Sequence, residues 1–97
     1  MPRAILLFED REVLDAGFII QMRIWQVVEP VPPSTHRFKY SLFFGRPGER
    51  IVGFDNERGK GDHFHIREAE HPYRFQGPAK LIEDFKATVR SVEGVRL

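Results

Sequence analysis

Two histidines stand two residues apart at the end of the run Asp55-Asn56-Glu57-Arg58-Gly59-Lys60-Gly61-Asp62-His63-Phe64-His65. On an extended strand this spacing puts both rings on one face, with Cα atoms roughly 6.6 Å apart at about 3.3 Å per residue. It suits two chemistries. One is a metal centre, in which the two imidazoles join Asp55 or Asp62 around Zn²⁺ or Fe²⁺. The other is metal-free cleavage of RNA. There a neutral histidine takes the proton of a ribose 2′-hydroxyl, and a protonated histidine or a lysine delivers one to the leaving 5′-oxygen. Lysine and arginine hold the charge that builds on the phosphate oxygens. Histidine serves both proton transfers because its ordinary pKa, about 6.5, leaves both forms present. The plain alternative is a pair of surface histidines beside an acidic loop. No third ligand sits at a recognisable spacing from the pair, so a protein without metal or cofactor is expected. Gly59 and Gly61 allow close backbone approach to a ligand, but no helix follows to make this a nucleotide loop. His36 and His71 are weaker candidates, and His71, beside Pro72, reads as structural.

A second set of residues shares a strand face. Arg37, Lys39 and Ser41 alternate with Phe38, Tyr40 and Leu42, so the cations point away from the apolar side. Asp55 takes the same outward position on the next strand, and Arg23 lines up from an earlier one. Trp25 and Phe43 lie among them. Cations interleaved with aromatic rings suit RNA, the cations meeting phosphates and the rings stacking on bases. A solvated face with a cross-strand ion pair, Arg37 to Asp55 for instance, is the plain alternative. In the catalytic reading His63 and His65 are base and acid. Lys60, Arg37 and Lys39 hold the scissile phosphate, Arg23 extends the RNA contact, and Asp55 orients a neighbour.

The elements that must position these side chains read as strands first and a helix last. Ala4 to Phe8 is a short apolar strand, buried on both faces or tucked as an edge under the helix. Glu9 to Ala16 reads as a polar turn or helical link. Phe18 to Val28 alternates over a long strand, and Pro30-Val31-Pro32-Pro33-Ser34 is a connector barred from a sheet interior. His36 to Phe44 and Arg50 to Asp55 form a hairpin around Arg46-Pro47-Gly48-Glu49. His63 to Ile66 is extended, and residues 67–77 read as irregular. Pro78 opens a helix whose stripe is Leu81, Ile82, Phe85, Val89 and Val92, and Gly94 closes it. The expected fold is a small α+β domain spanning 1–97. Its mostly antiparallel sheet has three to five strands, with one C-terminal helix on one face.

Composition narrows the function classes. The chain has 97 residues, 41% hydrophobic and 30% charged, which fits one globular core rather than disorder. It has no cysteine, which excludes disulfides, thiolate metal sites and cysteine nucleophiles. The apolar run at the N-terminus is too short for a signal peptide, and no stretch approaches the roughly 20 apolar residues of a membrane span. A soluble cytoplasmic protein without membrane contact is expected. The net charge of +1 is uneven. Residues 1–35 are net acidic, whereas residues 36–74 are net basic and hold all four histidines. Ile19, Trp25, Val27, Phe43 and Ile51 fall at outward strand positions. They predict an apolar patch, and hence an oligomer or a stable complex with a partner.

The ordered set of motifs resembles a known family. His36-Arg37-Phe38-Lys39-Tyr40-Ser41-Leu42 is followed by Gly53-Phe54-Asp55-Asn56 and by Gly59-Lys60-Gly61-Asp62-His63-Phe64-His65. Pro72-Tyr73-Arg74-Phe75 comes next, and then a helix with Leu81-Ile82-Glu83-Asp84-Phe85. Together they are similar to the TumE-type toxins over about residues 36–92. Residues 1–35 match only in being strand-rich. The resemblance implies a type II toxin that inhibits growth by cleaving RNA. It also implies a DNA-binding antitoxin, encoded by the adjacent gene, as partner. The polar motif positions are Arg37, Lys39, Asp55, Asn56, Lys60, His63 and His65, which adds Asn56 to the RNA-contacting candidates. Two other readings stay open. One is a non-catalytic RNA- or partner-binding module, which needs the cationic face alone. The other is a small metal-dependent enzyme, which needs His63, His65 and a carboxylate to converge.

Overall fold

The computed structural model describes residues 3–94. Six strands run in chain order, each antiparallel to the next, and one helix covers one face of the sheet. They are β1 (Ala4–Val13), β2 (Ile19–Val27), β3 (Phe38–Arg46), β4 (Glu49–Glu57), β5 (Gly61–Ile66) and β6 (Ala69–Pro72). The helix α1 spans Pro78–Glu93. Among the described residues, no helix is long and apolar enough to cross a membrane.

Alternation builds the core. Ile20, Met22 and Ile24 of β2 face Phe44, Leu42 and Tyr40 of β3, and Leu42 and Phe44 face Phe54 and Val52 of β4. These side chains are buried together with Leu81, Phe85 and Val89, the i, i+4, i+8 stripe of α1. Phe85 meets Phe54 edge-on at 5.9 Å between ring centroids. Burying each such side chain contributes about 1.5–3 kcal/mol. Pro78 occupies the first turn of α1. Gly94 caps the other end at φ 68°, where its N–H donates to the Arg90 carbonyl. That left-handed position suits glycine.

The α+β class and the C-terminal helix are as the sequence predicts, but the sheet has six strands rather than three to five. The extra strand is β6, in the stretch read as irregular. Arg67 takes a positive φ of 53°, and the tight turn at Arg67-Glu68 lays Ala69–Pro72 against β5. All four residues of β6 are exposed, so no apolar alternation marks it. The segment Glu9–Val13, read as a link, continues β1 along β2, because an edge strand needs only one partner. β1 lies at the open edge of the sheet, with both its faces largely exposed.

The expected apolar patch is also displaced. Ile51 is 1% exposed and Val27 8%, while Ile19, Trp25 and Phe43 are half-buried. Strict alternation fails at Ile51 because the register between β3 and β4 slips there, pairing Phe44 with Val52 but Gly45 with Arg50. A Cβ on Gly45 would sit 2.0 Å from the Glu49 carbonyl oxygen, so the slip requires glycine.

Candidate functional site on the open face of the sheet

On the face away from α1 the register sets two rows across the strands. One runs Arg23, Ser41, Asp55, His63, Pro72. The next runs Gln21, Phe43, Gly53, His65, Glu70. The histidine pair thus sits where both rows cross β5, flanked by Asp55 from β4 and Glu70 from β6.

The two rings pack edge to face, with centroids 4.9 Å apart and planes at 82°. Both residues are under 9% exposed. His63 Nδ1 donates to the Gly61 carbonyl oxygen at 2.9 Å. A carbonyl only accepts, so this bond fixes the proton on Nδ1 and leaves Nε2 toward the site. Asp55 Oδ1 lies 2.8 Å from that Nε2. The contact lacks hydrogen-bond geometry, and Asp55 Oδ1 is buried with no hydrogen-bond donor among the described residues. Glu70 Oε1 lies 3.4 Å from His65 Nε2 and 3.9 Å from His63 Nε2. Lys60 reaches the same carboxylate from the β4–β5 turn, at 4.0 Å.

His65 is held below the ordinary histidine range. Burial acts first, and the charges of Arg50 and His63 add to it against the opposing carboxylates of Glu70 and Asp55. A neutral ring at neutral pH is a proton acceptor and a metal ligand. Arg50 comes close because Gly53, paired with His65, carries no side chain; a Cβ there would meet Arg50 Cδ at 2.7 Å.

The sequence-read candidates divide by distance from this cluster. Asp55, His63, His65 and Lys60 come together. Lys39 is exposed on the same face of β3, opposite half-buried Trp25. Arg23 shares the row of His63 but stands three strands away, about 14 Å at about 4.8 Å per strand. It pairs with Glu9 of β1 at 2.8 Å. Arg37 is exposed just before β3, and the residue opposite Asp55 is Ser41, so the ion pair weighed between Arg37 and Asp55 is not the one formed. Asn56 is fully buried and lies outside the cluster. Its side chain accepts from Tyr40 N–H at 2.9 Å and donates to the Phe38 carbonyl at 2.7 Å, zipping the ends of β3 and β4. An isolated Asn at the end of an alternating strand gives no sign of that use.

His36 and His71 stay out of the cluster. His36 stacks on Phe75 at 3.9 Å and contacts Asp62 at 2.7 Å, and His71 stacks on Phe64 at 4.9 Å. Sequence reasoning missed Glu70 and Arg50. Glu70 stands beside both histidines although it lies at no recognisable ligand spacing from them in the sequence. Its signal was the short turn after Ile66, which returns residue 70 opposite residue 65.

The fold and site define a class: a small antiparallel meander braced by one helix, presenting a buried histidine–carboxylate cluster among cations on its open face. The family described as Toxin TumE matches residues 3–93. The chain belongs to the TumE toxin family, and the match takes in β1 and β2, where the motif resemblance was thin. Comparison with curated proteins and with solved structures gives no match.

Proposed function

We propose that this toxin arrests growth by cutting RNA on the open face of its sheet, and that an antitoxin from the adjacent gene neutralises it in the cytoplasm. The observation that carries this reading is the convergence of Asp55, His63 and His65, with Lys60 and Arg50 beside them. His65, held neutral, is the general base for the 2′-hydroxyl. His63 is the acid, with Asp55 Oδ1 2.8 Å from its Nε2 to orient the ring. Lys60 and Arg50 carry the developing phosphate charge, and Lys39, Arg37 and Arg23 extend the contact across the sheet toward β2. A face rather than a deep cleft suits a single-stranded substrate, whose bases stack on rings such as half-buried Trp25. Because the rings themselves move the protons, the reaction needs no metal.

The test is induction of the gene alone and together with its neighbour, with total RNA examined after arrest. Arrest with fragmented RNA, relieved by the neighbouring gene, supports the reading. Arrest with intact RNA rejects the cleavage.

A further inference from the structure

We infer that His63, His65 and Glu70 form a binding site for a divalent transition-metal ion, with Asp55 as the flanking carboxylate. One ligand atom from each of the three lies within 4.8 Å of the other two. Ligands held about 2.0–2.2 Å from a zinc-like ion stand roughly 3–4 Å from one another. The 3.4 Å between His65 and Glu70 and the 3.9 Å between His63 and Glu70 already fall in that range.

Three further features fit a cation. The bond from His63 Nδ1 to the Gly61 carbonyl is the outer contact that orients metal-binding imidazoles, and it directs Nε2 toward the site. Asp55 Oδ1, beside that same nitrogen, is a buried oxygen without a hydrogen-bond donor among the described residues. The two carboxylates, Asp55 and Glu70, balance a double positive charge. Two imidazole nitrogens with carboxylate oxygens favour Zn²⁺ or its first-row neighbours over Mg²⁺.

The site itself stands on geometry. Its consequence for catalysis rests on the acid–base reading above. Zinc on the Nε2 lone pairs takes both rings out of proton transfer, so bound zinc inhibits cleavage and a chelator restores it.

The experiment uses the full chain, stripped with chelator and titrated calorimetrically with Zn²⁺ alone, then with Mg²⁺ alone. One Zn²⁺ per chain and no Mg²⁺ uptake are expected, and Co²⁺ in place of zinc should show the visible bands of a nitrogen–oxygen site. Glu70→Gln, an exposed substitution, and His65→Ala should each weaken zinc binding by at least about tenfold to a hundredfold. Lys80→Ala, on the helix, should not. Circular dichroism verifies folding, and if His65→Ala does not fold, Glu70→Gln decides. Substoichiometric zinc, or unchanged binding by a folded Glu70→Gln, overturns the site. RNA cleavage is read separately. Zinc bound with RNA intact in every arm keeps the site and removes the ribonuclease. Cleavage by the stripped protein without zinc uptake does the reverse. Zinc that binds and accelerates cleavage keeps the site and replaces the acid–base roles.

Discussion

At the scale of residues, the site depends on one missing side chain. Gly53 leaves room for the Arg50 stem to cross the strand beside His65. Burial and the Arg50 cation together hold the His65 ring neutral, against the pull of Glu70. Arg50→Ala removes a like charge, so in the chelated protein the His65 titration midpoint should rise. NMR titration of the histidine ring protons measures it directly. An unchanged midpoint for His65 would contradict the role of Arg50 in lowering its proton affinity. The shared face of His63, His65 and Asp55 was legible because strand alternation places them there, whereas Lys60 comes from the turn between their strands. Arg50 was not legible, because its position depends on a register slip that alternation cannot foresee. Asn56 is polar in sequence yet serves the backbone of β3, a role visible only when its two amide partners are seen.

At the scale of elements, the connector between β2 and β3 is fastened through Asp62. Its carboxylate accepts from Ser34 Oγ on the connector, from Tyr40 Oη on β3 at 2.7 Å, and contacts His36 Nε2 at 2.7 Å. Burial raises its pKa, but the bonds from Ser34, Tyr40 and His36, with the charge of His36, outweigh burial and hold it below the usual range. Burial, with the bond to the Asp62 carboxylate, in turn pushes the Tyr40 phenol far up. A carboxyl depressed by folding contributes stability that is fully present above its unfolded value, about 3.9, and is lost as pH falls through the folded value. The urea midpoint should therefore drop as pH is lowered below about 4. Asp62→Asn should remove part of that drop and cost about 1–3 kcal/mol at neutral pH, the range for a disrupted buried bond. Parallel pH profiles for the variant and the parent would contradict this role. The strands β2 to β5 and the helix were legible because each carries its own period, two for strands and 3.6 for α1. The strand β6 was hidden because all of its residues are exposed, and the length of β1 was hidden because its second half is charged.

At the scale of the whole molecule, apolar surface collects at one edge. Ile5, Leu6, Leu7 and Phe8 of β1 are each more than a third exposed, and Val13 at its end is 67% exposed. Among the described residues no strand pairs with the outer edge of β1. An apolar edge with unpaired backbone groups is a template for further strand pairing. Purified without its antitoxin, the protein should self-associate through this edge. The double substitution Leu6→Lys and Phe8→Lys should shift it toward monomer while the core of β2 to β5 and α1 persists. Light scattering at micromolar concentration decides, and a monomeric parent would count against the edge as an interface.

The central claim is that the histidine cluster cuts RNA. The direct measurement is single-turnover cleavage of a labelled single-stranded RNA by the chelated parent and by His65→Ala, with circular dichroism to verify folding. Loss of an acid–base group should slow cleavage by roughly 10²–10⁴-fold. A folded His65→Ala that cleaves at the parent rate would contradict the assignment of this site.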